Sequence, residues 1–333
     1  MPIPELQIDG AACVHSRLLE ASCGDCQKVC PVEAIDLTAR VPVIDAAACT
    51  LCGACAGVCP ETVFTMPTPI PPAQGVEHFI ACHCHPLITD PDALRCIHSI
   101  GLSDLAQMWL GGMRRLVVAT DSCAACAAAP MVWIEATVTD FNRLAHCRDL
   151  EGIELVSASP LEVAEWQRKQ AVPDPSRRAF LRRIVTPKVA NPDQNTAESL
   201  QQFLALGPEP TPADTLCPFV PQIDPAACLA CDDCINICPH QALTLIKAND
   251  AKSLYHCAPE CCTGCQLCYD ICDVDAMEVF SMESRRDDIL LARFQCRSCG
   301  VQSHTTAADP PKDGQCRICH QTNHHKKLFV VLD

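Results

Sequence analysis

Twelve cysteines of this chain fall into three runs of one spacing: Cys49-x2-Cys52-x2-Cys55-x3-Cys59, Cys228-x2-Cys231-x2-Cys234-x3-Cys238 and Cys262-x2-Cys265-x2-Cys268-x3-Cys272. Pro60 and Pro239 close the first two. Closely spaced thiolates are soft ligands, so the chemistry they offer is metal chemistry. Zinc draws its ligands from separated pairs. Three close cysteines with a fourth just beyond suit an iron–sulfur cube instead, three irons held by the tight loop. The fourth cysteine leaves in a new direction and reaches the other cube of a pair. A further unit, Cys13-x9-Cys23-x2-Cys26-x3-Cys30 before Pro31, has nine residues in its first gap, so an inserted loop replaces the tight turn. Crossed pairing then gives one cube to Cys13, Cys23, Cys26 and Cys59, and another to Cys49, Cys52, Cys55 and Cys30. In the later half the cubes take Cys228, Cys231 and Cys234 with Cys272, and Cys262, Cys265 and Cys268 with Cys238. The last run lacks a proline after Cys272 and has Cys257 and Cys261 beside it; Cys261 is off the spacing and reads as a spare thiol.

Two other groups are candidates. Cys82, Cys84, Cys96, Cys123 and Cys126 fall near the ends of strand-like segments, where ligands of open α/β sheets gather. Unliganded, they would be buried thiols of a scaffold. His83, His85 and His98 crowd them and read as partners of sulfur or solvated groups, since no carboxylate or serine spacing builds a hydrolytic site there. In the tail, Cys296-x2-Cys299 and Cys316-x2-Cys319 form two knuckles, which favour a structural zinc in a ribbon, with rubredoxin-type iron as the redox alternative. His320, His324 and His325 beside them read as surface.

The elements that carry these groups repeat. "IDGAAC", "IDAAAC" and "IDPAAC" end at Cys13, Cys49 and Cys228, and the four cysteine units are followed by the short tails "PVEAIDL", "PETVFTM", "PHQALTLI" and "DVDAMEVF", which read as strands. Between the pairs, "VEHFIACHCH", "RLVVATDSC" and "GIELVSAS" read as strands. "LSDLAQMWLGG", "MVWIEATVTDFNRLAHC" and "PLEVAEWQRKQ" read as helices of a small parallel, Rossmann-like α/β layer. The expected organisation is α+β and multidomain: a two-cube domain over 1–70, an α/β domain over 75–170, a linker over 171–215, a second two-cube domain over 216–284 and a zinc-ribbon-like module over 285–333.

Composition narrows the setting. Hydrophobic residues make up 49%, so the chain folds, but aromatics are only 4%, so its core is aliphatic. The 29 cysteines are an odd number in a long chain that opens without a charged and apolar leader, which argues for metal-bound thiolates in a reducing cytoplasm rather than disulfides. No apolar run spans a membrane, and a net charge of −15 argues against nucleic acid. "DPSRRAFLRRIV" resembles a twin-arginine export signal at Arg177 and Arg178, but the segment after it is charged and proline-rich, and the motif is far from the N-terminus. Seven Lys/Arg against one acid, Asp174, between 166 and 190 make it a basic joint. It reads as a solvated linker or as a docking helix with Phe180, Leu181, Ile184 and Val185 on one face. No GxGxxG, P-loop, HExxH or nucleophile elbow occurs, and no substrate pocket is identifiable.

Residues 1–70 and 216–282 resemble bacterial two-cluster ferredoxins. The unit "CVHSRLLEASCGDCQKVCPVEAI" is similar to one in accessory ferredoxins of periplasmic nitrate reductase systems, which likewise carry a serine–arginine–arginine motif ahead of their cluster units. The central cysteines loosely resemble those of the iron–sulfur delta subunit of methanogen hydrogenase. That resemblance implies a [2Fe–2S] cluster on Cys96, Cys123, Cys126 and either Cys82 or Cys84. The resemblances imply a cytoplasmic polyferredoxin, a non-catalytic subunit that passes single electrons to or from a separate redox enzyme. A molybdenum or tungsten oxidoreductase such as formate dehydrogenase is the favoured partner, and a hydrogenase the other. A maturation factor for such an enzyme, or a linker subunit held permanently in its complex, is the alternative.

Overall fold

The structure is a computed structural model, and it describes residues 6–66, 75–88, 94, 96–126, 132–171, 196–208, 214–247, 252–306 and 311–322. Arg177, Arg178 and the face of Phe180, Leu181, Ile184 and Val185 lie outside the described residues, as do His324, His325 and the "KKLFVVLD" end. The chain divides into two compact units, Met1–Leu19 with Gly24–Pro210, and Glu20–Cys23 with Thr211–Asp333. Among the described residues no helix is long and apolar enough to cross a membrane.

The first unit opens with β1 (Gln7–Ile8), α1 (Val14–Arg17), α2 (Asp25–Lys28), β2 (Ile35–Asp36), β3 (Val43–Ile44), α3 (Ala54–Val58) and β4 (Phe64–Thr65). β1 pairs antiparallel with β4, Ile8 opposite Phe64, and β2 with β3, Ile35 opposite Ile44. The expected strand tails are therefore strands, each cut to two residues by the cysteine loops around it. The small core is Cys13, Cys26, Ile35, Val63 and Phe64.

β5 (Glu77–Ile80), α4 (Leu102–Leu110), β6 (Arg115–Val118), α5 (Ile134–His146), β7 (Glu154–Ser157) and α6 (Pro160–Ala171) come next, strands alternating with helices. The three strands form one parallel sheet in the order β5-β6-β7. Parallel neighbours need crossover connections, and helices supply them here. The helix starts are written locally. Asp104 accepts the Gly101 N–H at 2.8 Å at the head of α4. Ser159 and Glu162 bond reciprocally around Pro160 at the head of α6. Ile97, Leu105, Leu116, Ile134, Phe141 and Leu144 are fully buried.

The region expected as a linker holds a docked helix, α7 (Thr196–Leu204). Its Phe203 is fully buried, stacked on Phe141 at 4.6 Å and edge-on to Trp109 at 5.2 Å. Arg148 secures the end of that helix, with Nε donating to the Leu204 carbonyl at 3.1 Å and Nη1 to that of Leu144 at 2.9 Å.

In the second unit β8 (Leu216–Ile223), α8 (Asp233–Ile237), β9 (Leu243–Lys247), β10 (Lys252–Cys257), α9 (Leu267–Asp270), β11 (Met277–Ser284), β12 (Ile289–Gln295), β13 (Gln302–Thr305) and α10 (Arg317–Thr322) succeed one another. β8 and β11 pair antiparallel as β1 and β4 do, and β9 pairs with β10 as β2 does with β3. The addition is β12, which pairs along β10 with Leu290 opposite Leu254 and carries β13 on its other edge. One four-stranded sheet, β13-β12-β10-β9, thus runs across the boundary expected at residues 284 and 285. The free edge of β10 is a template for further pairing, and the tail fills it.

Candidate metal centres

The cysteine loops share a backbone signature that their side chains do not spell. In the runs starting at Cys49, Cys228 and Cys262, the second and fourth residues after the first cysteine have positive φ. They are Leu51 (56°) and Gly53 (81°), Ala230 (51°) and Asp232 (66°), and Gly264 (76°) and Gln266 (65°). The third residue after the closing cysteine repeats too: Glu33, Thr62, Gln241 and Asp275 have φ of 51°, 52°, 54° and 51°. A non-glycine residue in the left-handed region costs about 1–2 kcal/mol, so its recurrence at fixed offsets marks an imposed shape. Alternating hands of backbone turn successive N–H groups into one concavity, an anion-binding nest of the kind that iron–sulfur groups occupy. Some of those N–H groups already meet sulfur: Ala34 donates to Cys30 Sγ at 3.3 Å, Ala276 to Cys272 Sγ at 3.3 Å and Ala230 to Cys228 Sγ at 3.4 Å. Among the described residues no positive φ falls between Cys13 and Cys30, in keeping with an inserted loop there.

The sulfurs are brought together across the runs. Burial pushes the Cys234 thiol up to about 12, helped by Cys228, Cys231 and Cys272. Cys262 rises to about 12 through burial, with Cys265 and Cys238 adding to it. Cys268 is raised by burial and by Cys262, Cys265, Cys234 and Cys238. The cysteine ending each run therefore stands beside the start of the other. In the first unit Cys55 rises to about 12 through burial and the sulfurs of Cys52, Cys26 and Cys49. Cys59 rises through burial, with Cys13 among its neighbours. Cys23 belongs to the second unit. Thiols held this far up lose their protons outright to a metal, so converging soft donors of this kind fit an iron–sulfur group.

The central cysteines also converge. Cys82 and Cys84 follow β5, and Cys123 and Cys126 bracket a 3-10 turn after β6, so all four lie beyond the carboxyl ends of adjacent parallel strands. Cys82 Sγ and Cys84 Sγ are 3.1 Å apart. That contact pulls the Cys82 thiol down and pushes Cys84 up. Cys123 is driven up to about 11 by burial, with Cys84 and Cys126 contributing, and Cys96 to about 12 by burial with Cys52, Cys84 and Cys123. Cys82, Cys96 and Cys123 are buried whereas Cys84 is exposed. Two of the nearby histidines have structural roles. His85 donates from Nε2 to Asp121 at 3.0 Å while its Nδ1 accepts the Leu87 N–H at 3.2 Å. His98 Nδ1 accepts the Ile134 N–H at 3.0 Å and so caps α5.

The tail cysteines Cys296, Cys299, Cys316 and Cys319 have all four sulfurs within 4.8 Å of one another, and Cys299 and Cys316 are 3.9 Å apart. A tetrahedron with metal–sulfur bonds of about 2.3 Å has edges of about 3.8 Å, so the set suits one ion. The Cys316 N–H donates to Cys296 Sγ at 3.2 Å and pulls that thiol down to about 6.

Sequence reasoning missed what this module touches. Asp232, inside the Cys231–Cys234 loop, accepts from Tyr255 Oη at 2.6 Å and from His304 Nε2 at 2.9 Å. Thr306 Oγ1 donates to the Cys228 carbonyl at 3.0 Å, and Arg317 lies 3.8 Å from Asp233. Burial of Asp232 works against its charge, yet these hydrogen bonds outweigh it and hold the carboxyl below its ordinary range.

Residues 12–63 match the family model of a 4Fe-4S dicluster domain, and residues 220–243 match that of a 4Fe-4S binding domain. The chain carries ferredoxin-type iron–sulfur domains. No curated protein matches it.

Proposed function

We propose that the chain is a multi-cluster electron carrier. It holds four [4Fe–4S] clusters on the crossed cysteine sets, a [2Fe–2S] cluster on Cys82, Cys96, Cys123 and Cys126, and one zinc on Cys296, Cys299, Cys316 and Cys319. The observation that carries the reading is the repeat of left-handed backbone around the cysteine runs, with the last sulfur of each run of the second unit beside sulfurs of the other. A bound cluster supplies one-electron exchange without atom transfer. The chain's own part is to present sulfur, to aim the N–H groups of Ala34, Ala230 and Ala276 at it, and to keep water away. Hydrogen bonds to sulfur and burial are what set a cluster's potential. The partner we propose is a separate redox enzyme, with a molybdenum or tungsten oxidoreductase such as formate dehydrogenase favoured by the likeness of the loop-inserted unit to accessory ferredoxins, and the compartment is the cytoplasm.

Anaerobic purification with iron, sulfide and zinc analysis tests this directly. About sixteen irons support four cubes, and about two more support the central cluster. Iron near four or fewer refutes the reading. Reduction of the carrier by the partner's substrate separates a relay from a maturation factor, which would bind the cofactor-free precursor instead.

A further inference from the structure

Within the first unit, two segments that each follow a cysteine meet backbone to backbone. One is α3, the short helix between Cys55 and Cys59; the other is the 3-10 turn Ile97–Ser99 that follows Cys96. A Cβ added to Gly57 would run into the Ser99 carbonyl oxygen, and one added to Gly101 would run into the Gly57 carbonyl oxygen. A Cβ on Gly53 would stand 3.2 Å from that of Ser99. Gly57 lies within a helix and its φ is not positive, so turn geometry does not require a glycine there. Glycine in a helix interior costs about 0.5–1 kcal/mol relative to alanine, so close approach is what it supplies at this position. The turn is firmly held: Ile97, Ile100, Cys96 and Ser99 are buried, and Ser99 Oγ donates to the Cys96 carbonyl at 2.7 Å.

We propose that Gly57 and Gly101 are positioning residues that fuse the Cys49–Cys52–Cys55 loop and the central cysteines into one wall, so that the [4Fe–4S] and [2Fe–2S] clusters on its two sides form a coupled pair. This rests on the proposed function, in which both sides hold clusters. A single electron crossing the wall oxidises one cluster by one electron and reduces the other by one, with no proton carried. The central layer is then the outlet of the first ferredoxin pair, rather than a spacer between two ferredoxin halves.

EPR of the full-length protein, purified anaerobically and reduced with dithionite, tests the coupling, with iron and sulfide measured on the same sample. The expected spectrum shows the central signal split or broadened by a neighbouring spin. Gly57→Ala should reduce that splitting with iron unchanged, because the methyl forces the Ser99 backbone away. If Gly57→Ala does not fold, the double substitution Cys96→Ser with Cys123→Ser gives the second reading, in which two irons are lost and the partner cube signal sharpens. Additive, unsplit signals at full iron content overturn the pairing, and splitting unchanged in Gly57→Ala overturns the positioning role of the glycine. A shortfall of two irons in the unmodified protein overturns the central cluster itself, and the pairing with it.

Discussion

Replacing Tyr255 with phenylalanine should make one cluster of the second unit conspicuously labile. Tyr255 is 2% exposed and packs with Cys257, Cys268, Met277 and Leu291, so its ring stays seated after the change. What the substitution removes is one donor to Asp232 at 2.6 Å, leaving His304 at 2.9 Å as the other. A hydrogen bond to a charged group is worth about 1.5–3 kcal/mol, and Asp232 occupies a left-handed conformation that its partners must hold in place. If the loop opens before iron leaves, that loss speeds release by roughly 10- to 150-fold, at about 1.4 kcal/mol per decade. The assay is the anaerobic bleaching of visible absorbance with a chelator present. About a fifth of the iron absorbance should leave in a fast phase, as expected for one cube of the proposed four beside the smaller central cluster. His304→Ala should give a similar phase, and the double variant less than the product of the two, since both act through one carboxylate. Unchanged bleaching in Tyr255→Phe at full initial iron would refute the idea that these contacts brace the loop.

Phe203→Ala should destabilise the first unit by about 3–5 kcal/mol, read as a lower urea midpoint, because a fully buried ring stacked on Phe141 is deleted. Asp104 gives a pH signature. Burial lifts its carboxyl to about 6 despite the Gly101 N–H, so its contribution is whole below the ordinary carboxylate range and is lost as pH rises through about 6. Asp104→Asn keeps the acceptor and removes the charge, so it should exceed the parent by about 2–3 kcal/mol near neutral pH, with the gap closing only toward about pH 4 in paired urea titrations. Cys261→Ser should leave iron stoichiometry intact, and Cys299→Ser should remove the proposed zinc while keeping the iron, both read by metal analysis.

The cysteine ladders were legible because ligand spacing is local, and so were the parallel strands, whose apolar runs alternate with amphipathic helices. The left-handed positions were only half legible. Gly53 and Gly264 advertise them, but Leu51, Ala230, Asp232 and Gln266 do not, because there the loop imposes the conformation against residue preference. Leu200, Phe203 and Leu204 carried a helical spacing that the surrounding proline-rich segment concealed, so α7 was read as linker. His85 was expected to bond sulfur or face solvent, whereas it is buried against Asp121, thirty-six residues away, a contact no window of sequence contains. The β10–β12 pairing is non-local in the same way, since any strand edge will accept a partner of suitable pattern.

The crossing of sulfurs in the second unit sets an order on biosynthesis. Cys228 and Cys234 stand beside Cys272, while Cys262 and Cys268 stand beside Cys238, so neither sulfur set is complete until the last run has left the ribosome. Thr306 and His304 come later still and close on the loop that was made first. Iron delivered to the nascent chain before that point therefore meets partial sets. A chain cut short after β11 should keep every cysteine of the pair and the Tyr255 hydrogen bond to Asp232, yet lose the Thr306 contact to Cys228 and the His304 contact to Asp232.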